Sequence, residues 1–258
     1  MLILLPPSET KTRPDASRDV LDLATVAFPA LTEARSTMLR AAQRTAATRD
    51  GAAKLGVPAS SPELTERMAH LEAEPVGAAL EVYAGVLFDQ LDPATAIAPD
   101  RRVLIQSALL GVVDAACDRI PAYRLSAGST VSRLGTVGTW WAPRLRRVAS
   151  DLQRELADST SPVVIDCRSG AYRSMMPLRS SSAVQVLDVS PVQEQDGRRK
   201  VISHDAKRYR GWVTRVLLDA PTPPSTPDEV VDQLRAAFDA TLGVELDGHR
   251  LVIIDRVS

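Results

Sequence analysis

The chain contains 258 residues, of which 45% are hydrophobic and 24% are charged, and its formal net charge is −1. These values are typical of a folded globular protein and exclude a disordered chain, a collagen-like repeat and a coiled coil. A chain of this length buries roughly 70–75% of its unfolded surface when it folds as one unit. We therefore expect a single domain over residues 1–258.

The apolar N-terminus predicts neither a membrane span nor a secretory signal. No run of about 18 apolar residues occurs, and the apolar residues 1–5 are followed at once by two prolines. We therefore expect a cytoplasmic protein without a membrane partner. Cys117 and Cys167 lack the spacing of a disulfide framework or a zinc site, so both are expected to be reduced.

Basic residues are concentrated between Arg119 and Arg215. This segment holds 17 Lys and Arg against 8 Asp and Glu, a net charge of +9. Such a segment suits an anionic partner, namely nucleic acid, a nucleotide or a phosphorylated metabolite. The alternative is that its cations pair with carboxylates from the rest of the chain. Both interpretations stay open, because distance along the sequence does not reveal pairing in space.

The first 98 residues predict a short strand followed by a lobe of helices. The apolar run at the N-terminus is stopped by proline, as at the end of a buried strand. Ala, Leu and Arg favour helices in the segments that follow, and Ser-Pro is a helix start. In chain order the predicted elements are a strand at 1–5, an exposed loop at 6–14, two helices within 21–47 that meet at Pro29, and a helix opened by Ser61 and Pro62.

The rest of the chain alternates strands and helices without a strict βαβ repeat. The predicted elements are a strand at 103–105, a helix at 138–156, a strand at 163–166, a hairpin of strands 184–189 and 200–203, helices at 206–218 and 227–242, and a strand at 250–257. We therefore expect an α/β fold with a mixed β-sheet core wrapped by helices. The helical lobe would span residues 18–98, and the core residues 1–17 and 99–258.

Polar side chains cluster in three loops that follow predicted strands. Ligands of open α/β sheets bind where such loops converge, so we expect these residues to border one cleft. The first loop lacks the glycine frame of a phosphate-binding loop, although Lys11 could still contact a phosphate as a point charge. The loops hold Ser8 and Lys11, then Arg124, and then Asp166, Arg168, Ser169 and Tyr172.

The predicted helix at 206–217 is the other candidate binding element. Lys207, Arg210 and Gly211 lie on one flank of its apolar face, and Gly211 would let a ligand or a backbone approach closely. The flank is either a solvated surface or part of a binding site. The chain contains no His or Cys cluster at metal-ligand spacing, so we expect neither a metal nor a cofactor.

Five segments, taken in order, resemble the peroxide-stress protein YaaA family nearly end to end. The most specific pieces are the Pro-Ser-x-x-Lys-Thr loop, the Pro-x-Tyr-Arg-Leu element at 121–125 and the Ala-Lys-x-x-Arg-Gly element at 206–211. The five segments are MLILLPPSETKT, VYAGVLFDQL, LIQSALLGVVDAACDRIPAYRLSAG, VVIDCRSGAYRSM and KVISHDAKRYRGWVTRVLL.

The resemblance implies a cytosolic bacterial protein that limits oxidative damage to DNA during peroxide stress. It implies DNA binding in a basic cleft and at a helix-hairpin-helix element, by DNA structure rather than by sequence. The matching hairpin is Lys54-Leu55-Gly56-Val57, inside the helical lobe. By matching positions the cleft would contain Lys11, Arg124, Tyr172, Lys207 and Arg210. With the loop residues, the predicted nucleic-acid or anion-binding set is Ser8, Lys11, Arg124, Arg168, Ser169, Lys207 and Arg210.

Two departures from the family pattern point to an alternative function. Pro58 follows the hairpin in a segment where a second glycine is usual, which removes one backbone donor. Family members carry Asn-Leu-Ala-Ser-x-Glu-Tyr where this chain has Asp-Cys-Arg-Ser-Gly-Ala-Tyr at 166–172. The alternative is an enzyme of a divergent branch that acts on a nucleotide or another anionic small molecule, with Tyr172 and Asp166 as candidate catalytic residues. A closed pocket of a few hundred cubic ångströms would favour it, and a long groove of duplex width would favour DNA.

Overall fold

The computed structural model describes residues 1–15, 19–94, 96–202 and 205–256. Within these ranges it contains twelve strands and eight helices. The strands are β1 (Leu2–Leu5), β2 (Val76–Ala78), β3 (Arg102–Ser107), β4 (Gly111–Asp114), β5 (Arg119–Pro121), β6 (Thr130–Val131), β7 (Gly135–Thr136), β8 (Val163–Asp166), β9 (Gln185–Gln195), β10 (Arg198–Val201), β11 (Gly243–Asp247) and β12 (Arg250–Arg256). The helices are α1 (Thr32–Ala46), α2 (Gly51–Leu55), α3 (Glu63–Ala69), α4 (Ala79–Val82), α5 (Val137–Ala157), α6 (Gly170–Met175), α7 (Ala206–Asp219) and α8 (Pro227–Phe238).

A mixed sheet forms the core, in the order β11-β12-β9-β8-β1-β3-β4, with β10 added to β9. The central strands from β12 to β3 are parallel, whereas β4, β10 and β11 pair antiparallel with their neighbours. All four residues of β1 and all four of β8 are buried. Strands covered on both faces need such continuous apolar runs, which is why they were recognisable in the sequence. The predicted α/β fold with a mixed sheet wrapped by helices is confirmed.

The carboxyl ends of β1 and β8 lie side by side because the two strands are parallel neighbours. Leu4 pairs with Asp166 at the end of the β1–β8 register, and the N–H of Cys167 donates to the carbonyl of Leu4 over 2.9 Å. The loops that follow the two strands therefore leave the sheet at the same edge. This arrangement brings two of the three polar loops together, as the sequence predicted.

The helix expected before Pro29 is wrong. Within residues 21–28 the structure has a turn at 23–25 and a bend at 26–27, and the N–H of Ala24 donates to the side chain of Asp22. Phe28 then adopts a left-handed backbone conformation (φ 61°), which no helix can pass through, and a 3₁₀ turn at Pro29–Leu31 leads into α1. Asp22 competes for local backbone donors, which favours a turn over a helix.

The helix expected at 227–242 is four residues too long. α8 ends at Phe238, because Asp239 and Ala240 have φ values of 42° and 63°. The chain then enters β11, which the sequence did not predict. The hairpin predicted at 184–203 is confirmed as β9 and β10, although Ser203 lies outside the described residues.

The mostly helical segment 19–94 is tied to the sheet core by strand pairing and by a buried arginine. β2 pairs antiparallel with β5. Arg35 of α1 is fully buried and donates hydrogen bonds to the carbonyls of Leu110 and Val112, each over 2.9 Å. These links favour the predicted single domain. Along the described ranges, no helix is both long and apolar enough to cross a membrane.

Candidate anion-binding cleft

A cleft of about 270 Å³ opens at the carboxyl ends of β1 and β8. Its walls come from the loop after β1, the segment 125–128, the start of α6 and the first turns of α7. Five of the residues predicted from the sequence line it, namely Ser8, Ser169, Tyr172, Lys207 and Arg210. The structure therefore brings together side chains that lie up to 202 positions apart in the chain.

A second hollow of about 240 Å³ adjoins the cleft. The two share Lys207 and residues 6–9 of the loop after β1, and the second is closed by residues 84–88. The N–H of Ala84 donates to Oγ of Ser8 over 3.2 Å, which holds the loop against this wall. Lys207 thus borders both hollows.

Lys207 and Arg210 supply the positive charge of the cleft. Lys207 is exposed, and among the described residues neither side chain has a carboxylate partner. The Nε atom of Arg210 is buried and has no hydrogen-bond acceptor. Burial lowers the pKa of the Arg210 guanidinium, yet a guanidinium stays charged in proteins. A buried donor without an acceptor is costly, so the hydrogen-bonding capacity of the Arg210 guanidinium is not filled by the described part of the protein.

Lys11 does not line the cleft but secures its loop. Its Nζ atom donates to the carbonyl of Ser8 over 2.7 Å and lies 3.9 Å from the centre of the Tyr123 ring. Burial, followed by the charge of Arg124, lowers the pKa of Lys11 to about 7. The residue expected to act as a point charge on phosphate is therefore a loop anchor whose charge varies near neutral pH.

Arg124 connects the cleft loop to the predicted hairpin. Its Nε donates to the carbonyl of Gly56 over 3.0 Å, and its Nη2 donates to Glu9 over 2.9 Å. Glu9 lines the cleft, whereas Arg124 itself does not. Two of the three guanidinium nitrogens of Arg124 therefore donate to the protein, and the side chain is held against Glu9 rather than in the cleft lining.

Tyr172 presents a phenol to the cleft. Its oxygen accepts a hydrogen bond from the N–H of Ala127 over 3.2 Å. Burial raises the pKa of Tyr172, so the phenol keeps its proton at neutral pH. Because the oxygen is already an acceptor, the O–H is free to donate to a ligand.

Asp166 and Arg168 form a buried ion pair outside the cleft lining. Nε and Nη2 of Arg168 donate to the two carboxylate oxygens of Asp166 over 2.9 and 2.7 Å. Nη1 donates to Gln106 and to the carbonyl of Met176, over 2.8 and 2.9 Å. Both side chains are almost fully buried. Their hydrogen-bonding groups are occupied by the protein, so the structure does not bring either side chain to the cleft.

Ser126 is a cleft residue that the sequence reasoning missed. It lines the cleft together with Ser169, and its N–H donates to Oγ of Ser129 over 3.0 Å. Ser126 directly follows the Pro-x-Tyr-Arg-Leu element, and this adjacency was the signal that could have indicated it.

A sequence model of the family described as peroxide stress protein YaaA matches residues 1–236. The chain belongs to this family. A UPF0246 protein of Corynebacterium glutamicum strain R is 37% identical over 245 residues, which are 92% of this chain and 93% of that protein. A UPF0246 protein of Corynebacterium efficiens is 37% identical over 240 residues, again 92% and 93%. One from Streptomyces coelicolor is 33% identical over 256 residues, 96% of this chain and 93% of the relative.

The segment 166–172 of this YaaA family member carries two charged side chains, Asp166 and Arg168. They neutralise each other away from solvent. The cations that line the cleft are therefore Lys207 and Arg210. Asp166 acts on Arg210 without contacting it, as one of the groups that raise the pKa of that guanidinium against the larger effect of burial.

The predicted hairpin starts in the last turn of α2 and continues into the connection to α3, and both helices are short. Gly56 ends α2 in the left-handed conformation (φ 76°), as glycine does after a helix. The N–H groups of Gly56 and Val57 donate to the carbonyls of Ala53 and Ala52 over 3.2 and 2.8 Å. These donors are occupied by the helix end, whereas Lys54 pairs with Asp50 over 2.8 Å. A phosphate contact by a helix-hairpin-helix element thus remains a prediction.

The basic segment between Arg119 and Arg215 divides into paired and unpaired cations. Arg119 pairs with Asp19, and Arg199 pairs with Glu245, so carboxylates from outside the segment neutralise part of it. The cleft cations Lys207 and Arg210 have no such partner among the described residues. Both interpretations of the charge pattern therefore hold, each for different residues.

Neither cysteine is a reactive thiolate. Burial raises the pKa of Cys167 and of Cys117 to about 11, and Asp118 and Asp114 add to the effect at Cys117. At neutral pH both are thiols, which react poorly with oxidants. Over the described ranges, no group of three or more His, Cys, Asp or Glu side chains is placed to hold a metal ion.

Proposed function

We propose that the cleft binds a phosphate group and that, in this peroxide stress family member, the phosphate belongs to DNA. The observation that carries the proposal is the pair Lys207 and Arg210, which face one cleft without carboxylate partners among the described residues. Cations with free donors are the groups that contact phosphate oxygens in protein–DNA complexes.

The neutral donors of the cleft suit a phosphate as well. Ser169 contributes an exposed hydroxyl at the start of α6, and Tyr172 contributes a protonated phenol. A phosphate has several acceptor oxygens, and charge-assisted hydrogen bonds to them are the strong ones. Contacts of this kind are independent of base sequence, in agreement with binding by DNA structure.

A free nucleotide or another anionic metabolite is the second candidate ligand. The cleft volume of about 270 Å³ favours it, because pockets of a few hundred cubic ångströms hold small molecules. If the ligand is DNA, the same cleft would hold one nucleotide of a strand. The enzymatic alternative needs a group that moves a proton, and Tyr172 is the candidate that reaches the cleft.

Fluorescence anisotropy with labelled duplex, hairpin and single-stranded DNA across a salt series tests the proposal. We expect Lys207→Ala and Arg210→Ala to weaken binding and each to reduce the slope of log K against log salt by about 0.9. Arg208→Ala is the matched control, since Arg208 is on the same helix but pairs with Asp205 at 3.3 Å and does not line the cleft.

Two other outcomes would contradict DNA binding in the cleft. One is a protein that binds none of the three DNA forms, and the other is binding that Lys207→Ala and Arg210→Ala leave unchanged. Stabilisation against heat by a mononucleotide, lost in the same two variants, would then identify the small anion as the ligand.

A further inference from the structure

The β9–β10 hairpin has an exposed polar face that the cleft does not use. Its two strands pair antiparallel across the turn Asp196-Gly197. Side chains alternate between the two faces of a strand. Together with Asp196, the four exposed side chains of one face border a hollow of about 560 Å³. These four are Gln193, Gln195, Arg198 and Lys200.

The opposite face of the hairpin is neutralised by ion pairs. Arg199 donates to Glu194 over 2.7 Å and to Glu245 over 2.8 Å, and Arg256 lies 3.4 Å from Glu194. By contrast, Arg198 and Lys200 have no carboxylate partner within the described part of the chain. The hairpin therefore offers unpaired cations on one face only.

The unpaired face lies on the side of the sheet that α7 covers. Asp255 of β12 is directly opposite Gln193 of β9, so their side chains point to the same side. The O–H of Tyr209, on α7, donates to Asp255 over 2.5 Å. α7 also carries Lys207 and Arg210, so one helix connects the cleft with the hairpin face.

We propose that this hairpin face is a second nucleic-acid contact, over which a strand held in the cleft continues. Arg198 and Lys200 contact backbone phosphates, and the amides of Gln193 and Gln195 donate to sugar or base atoms. Asp196 stands at the turn beside the two cations, so the five side chains that border the hollow carry a net charge of +1. The inference rests on the proposed DNA binding and distinguishes a polynucleotide from a mononucleotide, which fills the cleft alone.

The test compares a labelled DNA of about 20 nucleotides, a length that reaches beyond one bound phosphate, with a labelled mononucleotide. The variants are Arg198→Ala with Lys200→Ala, and Lys207→Ala in the cleft. Arg199→Ala is the matched control, because it removes an arginine of the same strand from the opposite face. Melting curves verify that each variant is folded, and Arg198→Gln and Lys200→Gln replace the alanine variants if the hairpin is disturbed.

We expect the double variant to weaken DNA binding roughly tenfold at 0.1 M salt and to reduce the salt slope by about 1.8 on a duplex or about 1.4 on a single strand. The double variant should bind the mononucleotide as tightly as the wild type does. Lys207→Ala should weaken the binding of both DNA and the mononucleotide. Equal DNA binding by the double variant and the wild type, with a loss in Lys207→Ala, would overturn the hairpin contact and leave the cleft proposal standing. An equal loss of DNA affinity in Arg199→Ala would also overturn the hairpin contact. A wild-type protein that binds no DNA would overturn both proposals.

Discussion

The contacts of Lys11 in the fold differ from the role that the sequence pattern predicted for it. A lysine in a loop after a strand suggests a phosphate contact. In the fold its ammonium lies between a carbonyl and two tyrosine rings, 3.9 and 5.1 Å from their centres. Enclosure of the amine lowers its pKa to about 7 and converts it from a permanent cation into a group that titrates.

Lys11 should make the stability of the protein depend on pH. Its pKa is about 7 in the folded chain and 10.5 in the unfolded chain. Between these values the unfolded state binds a proton that the folded state does not, so the free energy of unfolding rises with pH. Below pH 7 Lys11 is protonated in both the folded and the unfolded state, so it no longer makes the free energy of unfolding change with pH.

Urea unfolding of the wild type and of Lys11→Met at pH 6 to 9.5 measures this effect. We expect the wild type to gain stability relative to the variant as the pH rises from 7. Lys200→Met, which removes an exposed amine, should run parallel to the wild type. A constant difference between the wild type and Lys11→Met would show that Lys11 remains charged in the folded state.

The contact of α7 with residues 87–90 depends on one glycine. The sequence predicted that Gly211 lets a ligand or a backbone approach closely, and the structure shows a backbone. A Cβ at this position would lie 2.5 Å from the carbonyl oxygen of Leu87 and 2.8 Å from Cβ of Gln90. Trp212 fixes the same contact by donating to the side chain of Gln90 over 2.8 Å.

Gly211→Ala should destabilise the protein although alanine favours helices. The gain in helix propensity is about 1 kcal/mol, whereas overpacking costs about 1–3 kcal/mol and here opposes a backbone atom. We expect a net loss of up to about 2 kcal/mol in chemical denaturation, because the carbonyl oxygen of Leu87 places the cost in the upper part of that range. Gly170→Ala is the control, because nothing lies within 4 Å of its added Cβ. Unchanged stability in Gly211→Ala would show that Leu87 moves freely.

Arg35 links the mostly helical segment 19–94 to the sheet core, so it affects the stability of the whole chain. It donates to the carbonyls of Val26 and Phe28, near its own helix, and to those of Leu110 and Val112 in the core. Burial lowers the pKa of Arg35 to about 10, so the guanidinium is charged at neutral pH. The carbonyls around it replace the water that the charge loses.

Arg35→Met should lower the free energy of unfolding by about 3–5 kcal/mol, because it leaves buried carbonyls without donors. Arg40→Met, on the exposed side of the same helix, should change it by less than about 0.5 kcal/mol. If the chain is one domain, far-UV circular dichroism and tryptophan fluorescence should report one shared transition. Two separate transitions would contradict the single domain predicted over residues 1–258.

Local sequence patterns were sufficient to predict much of the fold and part of the cleft lining. Continuous apolar runs predicted β1 and β8, and the helical spacing of apolar residues predicted α5 and α7. Those elements also place Ser8, Ser169 and Lys207 at the ends where loops meet. The short strands β4 and β11 were missed, because they are stabilised by pairing with distant residues rather than by their own composition.

The sequence by itself determined the parallel strands β1, β3 and β8, the helices α5 and α7, the loops that carry polar groups and the family to which the chain belongs. Only the tertiary structure decided which charges are free. Asp166 and Arg168 pair in the interior, Arg199 pairs with Glu245 from another strand, and Arg210 keeps a buried donor without an acceptor. Hydrophobic periodicity is a local property of the chain. Charge pairing depends on which distant segments the fold brings within hydrogen-bond distance.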